Sequence, residues 1–273
     1  MNIAKELIEG LTLRIGDIPL LVDDIRIGIF YTAVKLSDGR AGVAFTPRDL
    51  EDTVCCPRSA AKMPASGKMK GKTAWELAKY AFSDNSLKRS VGVAVINALS
   101  ARVIEAGDLS GGRLLQGRDA LDTFKFRPGD NVAMVGGFTP FVKKLKGRVA
   151  GLNIIDKHPN ALKGDELSYW RSPDQIPALL PQADIVIITG SALVEGGLEG
   201  LLLLCTKARE VVLAGPTASM WPGPLFDRGV TVLGGIIIND TDRLLQVVSE
   251  GGSGYFFSGP ARKMAIVRAA RPS

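Results

Sequence analysis

Short apolar runs in this sequence stop repeatedly at residues able to hold an anion or a metal complex. Asn131 to Val135 gives way to Gly136, Gly137, Phe138 and Thr139. Asp184 to Ile188 gives way to Thr189, Gly190 and Ser191, and Val211 to Ala214 to Gly215, Pro216 and Thr217. Glycine lets backbone approach a ligand closely, amides at a helix start point toward an anion, and hydroxyls both donate and accept. The same residue types also make ordinary turns and helix caps, so both readings stand. Val149 to Ile155 ends at Asp156, twenty residues beyond Gly136, the distance at which a dinucleotide fold places its ribose-binding acid. A full G-x-G-x-x-G is absent, because Gly-Gly-Phe-Thr-Pro breaks the spacing and Pro140 removes a donor. Asp156 therefore reads as that acid, with NAD or S-adenosylmethionine as cofactor, as a carboxylate toward a metal or its chelate, or as the cap of its own turn.

Glu195, followed by Gly196 and Gly197, suits a metal ligand or a base, and equally a solvated helix face. Cys55 and Cys56 are adjacent and, with Cys205, are the three cysteines. They offer a soft-metal site but neither a C-x-x-C pair nor a disulfide framework. His158 is the single histidine, which excludes sites needing two imidazoles. Ser191 stands in no nucleophile-elbow context, so Ser–His hydrolysis is not indicated either.

The elements that would position these groups follow from the pattern. Ile25 to Leu36 reads as a strand, Ser37 to Arg40 as an Asp-Gly hairpin turn, and Ala41 to Thr46 as the returning strand. Thr53 to Gly71 has no period and reads as a long exposed loop; Arg58, Lys62, Lys68, Lys70 and Lys72, with no acidic residue from Thr53 through Trp75, make this stretch basic, either as a solvated segment or as an anion-attracting lid. Thr73 with Glu76 forms a capping box for a helix reaching Phe82. Leu87 to Ile104 is apolar nearly all round and must be a buried helix, with Asn97 in its middle as either a satisfied core amide or a ligand contact. Leu109 to Gly117 is a glycine-rich joint, beyond which short apolar strands alternate with helices near Ser172, Leu198 to Lys207 and Thr241 to Glu250. A further strand, Thr231 to Leu233, ends at Gly234 and Gly235. Near-continuous apolar strands separated by helices predict a Rossmann-like α/β fold, a parallel sheet with helices on both faces.

Hydrophobic residues at 46% and charged ones at 23% fit a globular chain long enough for two units, 1–108 and 109–273. The net charge of +6 divides evenly, +3 in residues 1–120 and +3 in 121–273, so no domain is basic enough to track nucleic acid. Neither a membrane span nor a signal peptide is read in the sequence, which predicts a cytoplasmic protein. A homodimer is the commonest oligomer to expect.

Thr-Gly-Ser-Ala-Leu-Val-Glu-Gly-Gly-Leu-Glu at 189–199, Gly-Pro-Thr at 215–217 and Val-Ala-Val-Ile-Asn-Ala-Leu-Ser at 93–100 resemble the putative heavy-metal chelation family over essentially the whole chain. The resemblance implies that residues 1–108 form an enolase amino-terminal-like α+β unit in front of the Rossmann-like one, without the barrel that carries enolase chemistry. It also implies a pocket between the units, with Asn97, Gly136, Thr189, Gly190, Ser191, Gly215, Pro216 and Thr217 around it. The family pattern has a Thr and an Asn where Ala192 and Glu195 stand, so a ligand here would meet a carboxylate in place of an amide. The expected ligand is a small anion or a metal-chelating molecule, a heavy-metal ion or metal chelate included; the residues leave open whether a reaction is catalysed.

Overall fold

The computed structural model describes residues 2–48 and 63–269; Cys55, Cys56, Arg58 and Lys62 lie outside the described residues. Strands β1 (Val22–Ile27), β2 (Tyr31–Leu36) and β3 (Ala41–Phe45) form a small antiparallel sheet in that order. A second sheet is built from β4 (Gly112–Gln116), β5 (Asn131–Val135), β6 (Gly151–Ile155), β7 (Trp170–Arg171), β8 (Ile185–Thr189), β9 (Glu210–Ala214), β10 (Val232–Ile238) and β11 (Ala261–Arg268). Its order is β4-β11-β10-β9-β8-β5-β6-β7. From β10 to β7 the pairs are parallel, while β11 and β4 extend the sheet antiparallel. Numbered within the parallel part alone, the strands run 3-2-1-4-5-6, the Rossmann order.

Alternate residues of each parallel strand face opposite sides, and both sides are apolar. Ala133, Ile155, Val186, Ile188 and Leu213 join one cluster, and Val132, Met134, Ile154, Ile187 and Val212 the other. A sheet buried on both faces needs helices on both, as the unbroken apolar runs predict. The α-helices of the described residues are α1 (Ile3–Ile15), α2 (Ala74–Ala78), α3 (Ser86–Glu105), α4 (Thr139–Leu145), α5 (Ile176–Leu179), α6 (Ser191–Glu195), α7 (Leu198–Leu204), α8 (Gly223–Phe226) and α9 (Thr241–Ser249), of which α9 lies on the small sheet. The first cluster runs unbroken from Leu7 and Leu11 of α1 through Val91, Val95 and Leu99 of α3 into the large sheet. Helix α3 is thus the common core of the small sheet and the large one, which explains why its sequence has no polar face.

Several local readings change. The Ile25 to Leu36 run folds back on itself, because the Gly28 N–H donates to the Tyr31 carbonyl at 2.9 Å and bare Gly28 abuts the Val248 carbonyl. The Leu109 to Gly117 joint contains edge strand β4. Gly234 and Gly235 do not end a strand but lie inside β10. A Cβ on Gly234 would stand 2.5 Å from Ala120 Cβ, and one on Gly235 2.7 Å from Ser219 Oγ, so bare backbone is what lets two turns press on β10. Ser172 makes no side-chain cap. Pro173, Pro177 and Pro181 lack amide protons at four-residue intervals, and the segment breaks into single turns. The Thr73–Glu76 capping box forms as read, and α3 is capped by Asn85, one residue before Ser86. Among the described residues no helix is long and apolar enough to cross a membrane.

The amino-terminal edge of the large sheet is fastened by charge. Arg209 donates to both oxygens of Asp130 at 2.7 and 2.6 Å, while the Asp184 carboxylate accepts from Asn131 N and its carbonyl from Arg209 N, tying the starts of β5, β8 and β9. Asp130 is 3% exposed, and the hydrogen bonds from Arg209 hold its pKa below the ordinary carboxylate value. A depressed folded-state pKa adds stability above the unfolded value of about 3.9, lost as the pH falls through the folded one. Asp130→Asn is expected to lower unfolding free energy by about 1–3 kcal/mol at pH 7 and to flatten its decline below about pH 5, as read by urea unfolding across pH.

Candidate functional site

The chain leaves β5 toward β6 and β7 and leaves β8 the other way, toward β9 and β10, so a crevice opens beyond the carboxyl ends of β5 and β8. Gly136 and Gly215 close β5 and β9 at φ +100° and +110°, backbone that side chains rarely adopt. A Cβ on Gly136 would stand 3.0 Å from Thr189 Cβ, and the Phe138 ring lies 3.6 Å from the Cβ positions of both glycines. Three strand ends and one aromatic ring therefore meet at one rim. Phe138 is held there by stacking on Phe141, centroid to centroid 5.2 Å.

At the end of β8 the Thr189 and Ser191 hydroxyls lie 3.1 Å apart, and the Ser191 amide donates to Thr189 Oγ1 at 3.3 Å. Gly190 is bare because the 216–218 turn packs on it, with Ala218 N 2.8 Å from where its Cβ would be. Thr217 does not face the rim freely. It is 3% exposed, and its hydroxyl accepts from the Phe45 amide at 2.9 Å. Asn97, 1% exposed, donates one amide hydrogen to the Thr217 carbonyl at 2.9 Å and the other to the Val43 carbonyl at 2.7 Å. Two carbonyl acceptors fix which end of the amide is nitrogen. Among the described residues, none donates a hydrogen bond to the Asn97 Oδ1.

Asp156 caps its neighbourhood: one oxygen accepts from Gly137 N at 2.8 Å, the other from His158 N at 2.9 Å. Glu195 pairs with Lys157 at 3.2 Å across the crevice mouth. Cys205 follows α7 at the start of the return to β9, the opposite edge of the sheet from this rim. Its thiol donates to the Leu201 carbonyl, and burial pushes its pKa up to about 11. Among the described residues no group of three His, Cys, Asp or Glu converges as a metal site. The strand-end set and Asn97 thus form one run of contacts from Asp156 to Val43, with Cys205 apart. Pro216 is the stiff first residue of the last turn.

Sequence reasoning missed Phe45 and Ser90, whose hydroxyl donates to the Phe45 carbonyl at 2.7 Å. It also missed Lys157, and Arg89, which braces α6 through the Val194 carbonyl at 2.5 Å. None has a spacing signal, since each acts through a partner distant in sequence. Of the basic loop, Lys70 and Lys72 face Asp23 and Glu76 at 3.6 and 3.4 Å.

Comparisons with known proteins give the family and the fold. A family model described as "Putative heavy-metal chelation" matches residues 119–267, more than half of the chain, and a second model of the same description matches residues 11–100. The chain belongs to the putative heavy-metal chelation family. An uncharacterized protein of Methanocaldococcus jannaschii is 29% identical over 195 residues, 70% of each chain. A family protein of unknown function from Pyrococcus horikoshii has the same fold, with TM-score 0.76 at 24% identity over 97% of this chain and 98% of that one. Another, from Desulfitobacterium hafniense, gives 0.74 at 21% identity over 96% and 99%.

In this family member the Asn97 amide is the test of how the front layer is held. Asn97→Leu strands two buried carbonyls and is expected to cost about 2–4 kcal/mol. Asn97→Asp, which turns carboxylate oxygens on those carbonyls, is expected to cost more. Urea unfolding of both variants checks the order; Asn97→Asp proving the milder would rule out the amide as the donor.

Proposed function

We propose that this chain binds a small anionic metal chelate, or the free chelator, at the strand-end rim between the units 1–108 and 109–273. The family description supports the metal side of this reading. The observation that carries the rest is the meeting of Gly136, Thr189, Ser191 and Gly215 under Phe138, where bare backbone and two hydroxyls share one crevice. Neutral hydroxyl donors suit the outer oxygens of a complex whose metal already has its ligands, because they bind anionic oxygen without displacing it from the metal. The glycine amides donate within the protein, Gly136 N to the Ile155 carbonyl and Gly215 N to the Gly234 carbonyl, so the glycines contribute room for close approach. Lys157 at the mouth adds positive charge, and Glu195 restrains that lysine and keeps the field local.

Thermal unfolding should be followed with copper(II) chloride, copper(II) nitrilotriacetate and nitrilotriacetate alone. Chelate or chelator at about a hundredfold excess over its dissociation constant is expected to add about 2.7 kcal/mol. The double variant Thr189→Val, Ser191→Ala is expected to lose that gain, and Cys205→Ser to keep it. Stabilisation by copper chloride alone that survives the double variant and disappears when Cys55, Cys56 and Cys205 are all changed to Ser would move the site to the cysteines. No stabilisation by any of the three would end the proposal.

A second reading, a nucleotide cofactor such as NAD or S-adenosylmethionine on the first turn, has the 3-2-1-4-5-6 order in its favour. Against it, both Asp156 oxygens already face backbone amides. Stabilisation by either cofactor that Asp156→Ala removes would favour this alternative over the chelate.

A further inference from the structure

Helix α6 begins on the strand-end rim at Ser191 and ends at Gly196, where the chain turns at φ +81°. At that far end lies a pocket of about 390 Å³, enclosed by the amino terminus of α1, the 79–82 turn, α3 and the start of α7. Its volume falls within the roughly 300–1,000 Å³ of small-molecule sites.

Two opposite charges line this pocket, Arg89 of α3 and Glu199 of α7, and among the described residues neither enters an ion pair. Arg89 is partly buried and donates to three backbone carbonyls, that of Val194 through Nε and those of Ser83 and Asp84 through Nη1. A guanidinium has five N–H donors, so as a brace Arg89 uses three. The two on Nη2 have no partner among the described residues. They are also open to the pocket: Gly196 beside them is exposed and bare, and a Cβ there would stand 3.9 Å from Nη2 with nothing nearer.

Glu199 accepts from the Ile3 amide through one oxygen at 2.9 Å, and its other oxygen has no partner among the described residues. Arg228, the cation that feels its field, is already held by both oxygens of Glu6 at 2.7 Å. Three neutral carbonyls fix the position of the Arg89 guanidinium but leave its charge uncompensated, and a charge drawn out of water favours a counter-charge. A simple anion is a poor answer, because Glu199 in the same pocket repels it. A ligand with an acid at one end and an ammonium at the other answers both.

We propose that this pocket is a second small-molecule site, separate from the rim, for a zwitterionic amino acid with an apolar side chain. The carboxylate accepts from Arg89 Nη2, and the ammonium donates to the free oxygen of Glu199. The side chain covers Phe82, which is 43% exposed, and packs beside Ala81 and Leu193.

The whole isotope-labelled chain, titrated to about 10 mM with L-leucine, L-methionine or L-phenylalanine and followed by NMR, tests this. At least one is expected to shift the Ala81 and Leu193 methyls and the Gly196 amide while Thr189 stays unmoved. Its analogue without the amino group, and the amine without the carboxylate, are each expected to bind about tenfold more weakly or worse. Glu199→Gln keeps an oxygen for the Ile3 amide and so keeps the fold. It is expected to weaken the amino acid by about tenfold while leaving the deaminated acid unchanged or tighter. No shift with any of the three, shifts confined to Thr189 and Ser191, equal binding with and without the amino group, or an unchanged affinity in Glu199→Gln would each overturn the proposal. The chelate experiment at the rim reads Thr189 and Ser191, so either proposal can fail while the other stands.

Discussion

The amide of Asn97 is the interaction on which the arrangement of the two sheets depends. It donates to the Val43 carbonyl of β3 and to the Thr217 carbonyl beyond β9, and so joins the small sheet, α3 and the strand-end rim through one buried side chain. Both carbonyls belong to chain that has left its own ladder or reached its edge, and a buried carbonyl without a partner is costly. The apolar faces of α3 supply most of the burial, but burial is non-directional. The amide sets the register between layers that hydrophobic packing alone would let slide.

The two edges of the large sheet are built by opposite means. At the amino-terminal edge, Asp130, Asp184 and Arg209 close the strand starts with charged hydrogen bonds. At the carboxyl edge the turns are closed by omission: Gly136, Gly190 and Gly215 carry no side chain where Thr189, Ala218 and Phe138 come close. An edge packed through bare backbone leaves room beside its hydroxyls, and that is the edge where Rossmann-like sheets hold ligands. Stability is thereby concentrated away from the site, which leaves the rim free to be shaped by its turns.

Much of this fold is visible in the sequence because its signals are local. Each parallel strand is a short apolar run with a turn residue behind it, and α3 announces its burial by lacking a polar face. What the sequence hides is what partners from afar decide. Gly234 and Gly235 look like a turn, and only the approach of Ala120 and Ser219 explains them as strand residues. Strand β4 looks like a joint because it opens on Gly112 and carries polar Arg113 and Gln116 at an exposed edge. At the site, the glycine and hydroxyl turns were readable, whereas Phe45, Arg89 and Lys157 were not, since their roles come from contacts across 38 residues or more of chain.

The rim and the seam at Asn97 differ in how their polar groups are satisfied, and the difference bears on what each can do. At the rim, Thr189 and Ser191 bond to one another, so the protein meets their needs internally and a ligand must exchange one hydrogen bond for another. Such exchange contributes little net free energy per bond and favours ligands that gain through charge and shape. Asn97 stands outside that exchange: it is 1% exposed, and both of its donors are committed to the Val43 and Thr217 carbonyls. A buried amide so committed is costly to disturb, because leaving its carbonyl partners unmatched costs more than a matched pair gains. Groups able to trade partners thus lie on the rim, and groups that cannot lie in the seam beneath it.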